Sequence, residues 1–131
     1  GNIDASYFLA MCYSNGEGVE KDESEAVKLL KIAASGNNVN AIYSLGLAYA
    51  TGEGIEVDDE ESVKYFRMAS DAGHIDASYA LGVCFASGKG VPRDLGEAIR
   101  LYEIAARAGH IEANEALHKF IEACNKTNDK D

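Results

Sequence analysis

Small, apolar and polar residues follow one pattern that returns every 36 residues along this chain. In the stretch 40–54, Ala41, Leu45, Ala48 and Tyr49 fall on one face of a helix. The alanine recurs as Ala5, Ala77 and Ala113, and the leucine recurs as Leu9, Leu81 and Leu117. The pattern therefore predicts repeated copies of one amphipathic helix, which we call the first helix of each unit.

A second helix is predicted in each unit, after a loop that contains two glycines. The loops are 16–18, 52–54 and 88–90, and the Asp-x-x-Glu patterns that follow them are 22–25, 58–61 and 94–97. Glycine ends a helix readily because it adopts the left-handed conformation without steric cost. Asp-x-x-Glu is typical of a capping box, in which each side chain accepts a hydrogen bond from the other residue's amide. The predicted unit is thus helix, glycine turn, helix and short turn.

Glycine also stands in the middle of the first helix, at Gly46 and Gly82, where the first unit has Ala10. A glycine inside a helix costs about 1 kcal/mol relative to alanine, so its recurrence indicates a close contact. We predict that the backbone of the facing second helix leaves no room there for a side chain.

A fixed period without insertions predicts an all-α solenoid, in which each unit packs on its neighbours. We assign residues 1–36, 37–72 and 73–108 to three repeats of one domain. Residues 109–124 are predicted to form a capping helix with one polar side, at Glu112, Glu115, Lys119 and Glu122, and residues 125–131 a polar tail. Because Gly1 is already in register with the repeat, we expect the chain to be part of a longer protein.

The spacing Ile42-x-x-Leu45-Gly46-x-x-Tyr49, with Phe66 in the second helix, resembles a tetratricopeptide repeat that is stretched from about 34 residues. The stretched form resembles the Sel-one-like repeat family. Its motif reads Ala77-x-x-x-Leu81-Gly82-x-x-Phe85-x-x-Gly88-x-Gly90-Val91 in the third unit. The resemblance implies a right-handed α/α solenoid that serves as a scaffold or adaptor for other proteins.

The resemblance also implies a partner-binding surface, the concave face that the first helices line. The corresponding positions are Asp4, Tyr7 and Met11, then Asn40, Tyr43 and Leu47, then Asp76, Tyr79 and Val83. Their spacing forms one helical face, distinct from the stripe of alanine and leucine. The tyrosines either contact a partner or pack between adjacent first helices. The third column varies between Met, Leu and Val, which packing alone does not require, so it is the better candidate.

The cysteines are predicted to be free thiols that are mostly packed. Cys12 and Cys84 lie two units apart, at about 10 Å per packed layer, which is beyond disulfide reach. A subgroup of bacterial relatives has a disulfide within every repeat, and this chain lacks the paired cysteines for it. Unpaired cysteines favour a reducing compartment, and the sequence shows no targeting signal.

Charge narrows the classes of partner. The formal net charge of −10 disfavours nucleic acid and anionic membrane surfaces, because both require basic patches. No apolar run approaches the length of a membrane-spanning helix.

Catalytic and cofactor motifs are not found in the sequence. The glycine loops follow helices and lack a following Lys-Ser or Lys-Thr, so they are turns and not phosphate-binding loops. His74, His110 and His118 do not have the spacing of a zinc site, and the first two are expected at helix starts on a solvated edge. Ser-x-x-Lys, His-Glu-x-x-His and Gly-x-Ser-x-Gly do not occur either. The sequence therefore predicts neither an enzyme nor a cofactor.

The predicted function is a protein-interaction scaffold or adaptor that binds a partner peptide or helix in the groove of the first helices. The alternative is a binding module for small ligands such as cell-wall saccharides or peptides, which requires a walled pocket.

Overall fold

The computed structural model describes residues 2–129, with side chains described for residues 3–126. The described residues form seven α-helices: α1 (Asn2–Asn15), α2 (Glu23–Ser35), α3 (Val39–Thr51), α4 (Asp59–Asp71), α5 (Ile75–Ser87), α6 (Leu95–Arg107) and α7 (Ile111–Asp129). Helices α1, α3 and α5 are the predicted first helices, and α2, α4 and α6 are the second helices. Each helix packs against the next one along the chain. The fold is therefore the all-α solenoid that the 36-residue period predicts.

The core is a strip that continues from one helix pair to the next. Leu45 and Leu81 are 0% and 2% exposed, because a preceding repeat covers each of them. Leu9 occupies the same column in α1 and is 41% exposed, and Ala5 is exposed as well. The prediction of one uniform core stripe was thus wrong for α1, which has no earlier repeat against it among the described residues.

The second helices begin at the predicted aspartates. The aspartate side chains accept hydrogen bonds from the amides of Glu25, Glu61 and Glu97, at 3.1, 3.1 and 3.0 Å. Only this half of the capping box forms, and the glutamate side chains pair forward with Lys28, Lys64 and Arg100. The aspartates' own amides donate to the carbonyls of Tyr13, Tyr49 and Phe85, at 2.9, 3.0 and 2.9 Å. Each aspartate therefore joins the two helices of its repeat.

An aromatic ring on the second helix leaves no room for a side chain at Gly46 or at Gly82. A Cβ atom on Gly46 would lie 2.8 Å from the Phe66 ring but 3.4 Å from the nearest backbone atom, the carbonyl oxygen of Ser62. Gly82 would meet the Tyr102 ring at 2.8 Å in the same way. The prediction of backbone contact was therefore wrong in its cause. In the first repeat, Ala10 stands where the second repeat has Gly46, and Leu30 stands where it has Phe66. The residue on the first helix is larger there and its partner on the second helix is smaller, and both lie in one buried cluster.

Gly46→Ala is expected to destabilise the protein by about 1 kcal/mol, since overpacking costs about 1–3 kcal/mol and the helix gains about 1 kcal/mol. Adding Phe66→Leu recreates the Ala10–Leu30 pair of the first repeat and should relieve the clash. Urea unfolding of the two single variants and the double variant measures the coupling, which we expect to be favourable by about 1 kcal/mol. Strictly additive effects would show that the ring does not impose the glycine.

Helix α7 is longer than predicted. The sequence indicated a helix end at residue 124 and a polar tail, whereas the helix continues to Asp129. Residues 130 and 131 lie outside the described part of the chain. The predicted polar side is exposed, and so are Ile111 and Ile121, at 70% and 54%. Ala113 packs into the core at 0% exposure, which attaches α7 to the preceding repeat.

Candidate functional site

The tyrosine column of the candidate site packs between repeats. The Tyr43 ring stacks on the His74 imidazole at a centroid distance of 4.4 Å, and Tyr79 stacks on His110 at 4.6 Å. Tyr43, Tyr79 and Tyr7 in the first repeat are all half-buried. Burial raises the pKa of the Tyr43 phenol, and the nearby Asp76 carboxylate raises it further. These tyrosines therefore have a packing role at the junctions of the solenoid.

The stacked histidines are helix caps. Nδ1 of His74 accepts a hydrogen bond from the Ala77 amide at 3.1 Å, and Nδ1 of His110 does the same for Ala113. An imidazole nitrogen accepts only when it carries no proton, so the capping tautomer has its proton on Nε2. We expected both histidines at helix starts on a solvated edge. Their position at the helix start is confirmed, but the His110 side chain is only 11% exposed because Tyr79 stacks on it.

The acidic and amide column lies next to these caps. Asp4 accepts a hydrogen bond from Nδ2 of Asn38 at 3.3 Å, and Asn38 caps α3 where the later repeats have histidine. Asp76 Oδ1 lies 3.2 Å from Nε2 of His110. Asp4, Asp76 and Asn40, their counterpart in the second repeat, are exposed. Two of these three residues thus hold the start of the following repeat.

The third column is the apolar surface of the candidate site. Leu47 and Val83 are 38% and 40% exposed, and Met11 is half-buried. The three residues occupy the same position on α1, α3 and α5. Of the nine predicted site residues, these three supply apolar surface to solvent beside the packed tyrosines.

A cavity of about 210 Å³ lies between α1, α2 and α3, next to the first two residues of this column. Met11 and Leu47 line it, together with Ala26, Val27, Leu30 and Ala48, which are buried. The rest of the lining is polar and consists of Ser14, Ser44, Glu23 and Glu53. An apolar cavity edged by carboxylates can accommodate an apolar group next to a positive charge.

A second apolar column lies on the second helices and was not predicted. Ile32, Met68 and Ile104 stand 36 residues apart and are 55%, 42% and 45% exposed. The signal was present in the sequence, since an apolar residue recurs at one position outside the core stripe. This outer column offers a comparison surface for any test of the first-helix face.

The cysteines are free, and they differ in environment. Cys84 is buried, Cys12 is half-buried and Cys124 is exposed, so the expectation of mostly packed thiols fails for Cys124. Burial raises the pKa of the Cys84 thiol, which keeps this group in its less reactive protonated form.

Within residues 3–126, no group of three or more His, Cys, Asp or Glu side chains is arranged to hold a metal ion. Across the described helices, none combines the length and apolar character that crossing a membrane requires.

Solved structures with the same fold come from several bacteria. A protective antigen of uropathogenic Escherichia coli, described as displaying an SLR fold, is 38% identical with a TM-score of 0.84 over 85% of this chain. The match covers only 24% of that longer protein. A Sel1 repeat protein from Oxalobacter formigenes is 35% identical with a TM-score of 0.82, and the match covers 89% of this chain and 88% of that one.

Helicobacter pylori cysteine rich protein B is 24% identical with a TM-score of 0.74, which shows a shared fold. That match covers 88% of this chain and 89% of the other. A search of curated proteins finds no match.

The family model for the Sel1 repeat matches residues 3–38, 39–74 and 75–110. These matches keep the 36-residue step, and their boundaries fall two residues later than those we assigned from the sequence. Together the three matches cover most of the described residues. The chain belongs to the Sel1 repeat family.

Proposed function

We propose that this chain is a protein-interaction module and that a partner peptide or helix binds across its first-helix face. Sel1-repeat proteins are generally protein-interaction modules. The observation that carries the proposal is the apolar column of Met11, Leu47 and Val83. Leu47 and Val83 remain more than a third exposed, whereas the tyrosines beside them pack onto caps. Regularly spaced apolar side chains on adjacent helices suit a continuous chain segment.

Shape also supports a peptide over a small ligand. The cavity beside Leu47, about 210 Å³, is smaller than the roughly 300–1,000 Å³ of typical small-molecule sites. A depression of about 590 Å³ between the starts of α5 and α7 is a wider surface feature that is open to solvent. Saccharide binding usually needs walls on several sides. An extended partner therefore fits the first-helix face better than a saccharide does.

The test is affinity capture from a cell lysate with Leu47→Asp and a matched control, Met68→Asp. The two native side chains have similar exposure, 38% and 42%, but lie on different helices of the solenoid. We expect Leu47→Asp to lose at least tenfold of the captured partner and Met68→Asp to retain it. An aspartate at this position would lose its hydration when the partner binds, and burying an unpaired charge against an apolar side chain costs free energy.

Circular dichroism first establishes that both variants are folded. Tyr43 is not a suitable probe, because its replacement would disturb the stack on His74. Loss of the partner with Met68→Asp alone would assign binding to the outer column. A folded Leu47→Asp protein that captures the partner normally would refute the first-helix proposal.

A further inference from the structure

We infer that the cavity between α1, α2 and α3 is the anchor pocket of the partner segment. It receives one aliphatic side chain, and a lysine or arginine next to that side chain pairs with Glu23 and Glu53. The inference rests on the proposed function and specifies the chemistry of the partner. We call the place where α1, α2 and α3 meet the first junction, and the equivalent place between α3, α4 and α5 the second junction.

The lining of the cavity selects an aliphatic group. The buried part of the lining consists of four apolar residues that are each less than 10% exposed, namely Ala26, Val27, Leu30 and Ala48. Leu47 and Met11, which are more accessible, flank them. A volume of about 210 Å³ accommodates a single side chain, and removal of that side chain's apolar surface from water favours binding.

The polar part of the lining selects a positive charge. Glu23 and Glu53 both line the cavity, although they lie in different repeats. The loop that carries Glu53 rests on the start of α2, since a Cβ atom built on Gly54 would lie 2.3 Å from the Glu23 carbonyl oxygen. Glu23 also has Lys21 at 3.5 Å, in an exposed pair of little energetic value. A partner cation can therefore share Glu23, and the net charge of −10 attracts such a segment from a distance.

The second junction differs from the first in the size and in the charge of its side chains. Phe66 stands there in place of Leu30, and Cys84 in place of Ala48, so larger side chains occupy the same columns. Lys89 replaces Glu53, which reverses one of the two charges. A basic segment with an aliphatic anchor therefore has a reason to choose the first junction.

The first experiment is an NMR titration of the labelled protein with three short synthetic peptides, which contain Lys-Leu-Lys, Glu-Leu-Glu or Lys-Ser-Lys at their centre. We expect the Lys-Leu-Lys peptide to shift the amide signals of Ser44, Leu47 and Ala48, with an affinity at least tenfold above those of the other two. Shifts centred on the second junction, equal binding of all three peptides, or no shifts with Lys-Leu-Lys would each overturn the inference.

Two variants graft features of the second junction onto the first. Glu53→Lys introduces the charge of Lys89, and the pair Ala10→Gly with Leu30→Phe introduces the Gly46–Phe66 packing that fills this column. Each should weaken the Lys-Leu-Lys peptide at least tenfold. The surface change Glu53→Lys should leave the fold intact because Glu53 is exposed, so it tests the inference even if the core pair destabilises the protein.

The same variants separate this inference from the proposed function. If the protein partner is lost with Leu47→Asp but retained at native affinity with Glu53→Lys and with the filled cavity, the first-helix face stands and the anchor pocket is refuted. If the partner binds Leu47→Asp normally, the proposed function itself fails. Loss of the partner with all three variants supports both.

Discussion

Leu45→Ala should lower the free energy of unfolding by about 3 kcal/mol, whereas Leu9→Ala should lower it by less than about 1 kcal/mol. Both leucines occupy the same column of the repeat, but Leu45 is 0% exposed and Leu9 is 41% exposed. Removing a buried leucine side chain loses its transfer free energy and leaves a cavity that the surrounding helices fill only in part. At Leu9 the side chain is already partly in water, so truncation leaves no enclosed void.

Urea unfolding monitored by circular dichroism measures both changes in one background. The Leu9 variant is the control, because it alters the same residue type in the same local helix pattern. A folded domain typically has about 5–15 kcal/mol of stability, so the Leu45 change should move the unfolding midpoint clearly. Equal losses at the two positions would mean that the helices stack differently from the arrangement described above.

The helices could be predicted from the sequence because their signals are local. Apolar spacing, the aspartate caps and the glycine turns act within one repeat, and the three copies reinforce one another. The long-range partners of these residues are not local. The Asp22 amide bonds to Tyr13 across the turn, for example, so the second half of the expected capping box never forms.

The candidate site could be predicted only in part, because two neighbouring columns on one helical face have different roles. Tyr43 and Leu47 share one helical face and recur together, so spacing cannot separate them. The distinction comes from the following repeat, where His74 caps α5 and lies under the Tyr43 ring. Leu47 has no such cap above it and stays 38% exposed. Predicting that His74 stacks on Tyr43 would require the angle between successive repeats, and the sequence pattern does not give this angle.

The first repeat of the described residues shows the same limit. A strict period predicts equal environments for equal positions, yet Leu9 and Leu45 differ because burial depends on the preceding repeat. The glycine loops carry this difference as well. Gly18 and Gly54 have nearly the same φ, +75° and +77°, but only Gly54 lies against the helix of an earlier repeat.

Gly54→Ala should therefore destabilise the protein by about 3 kcal/mol or more, and Gly18→Ala by about 1 kcal/mol. Both changes force alanine into the left-handed region, at about 1–2 kcal/mol, partly offset by the lower entropy of the unfolded chain. At Gly54 the new Cβ atom would also lie 2.3 Å from the Glu23 carbonyl oxygen, whereas nothing lies within 4 Å at Gly18. Because the carbonyl belongs to the backbone of α2, relief requires the two repeats to move apart.

The difference between the two glycine variants isolates the contact between repeats from the conformational strain that both share. Gly90→Ala is a second copy of the experiment, since its Cβ atom would lie 2.4 Å from the Asp59 carbonyl oxygen. Urea unfolding of the three variants should place Gly54 and Gly90 together and Gly18 apart. If all three lose the same stability, φ alone explains the glycines and the loops do not set the spacing of the repeats. If the expected order holds, Gly54 and Gly90 fix how closely each repeat rests on the one before it, and Gly54 thereby sets the width of the first junction.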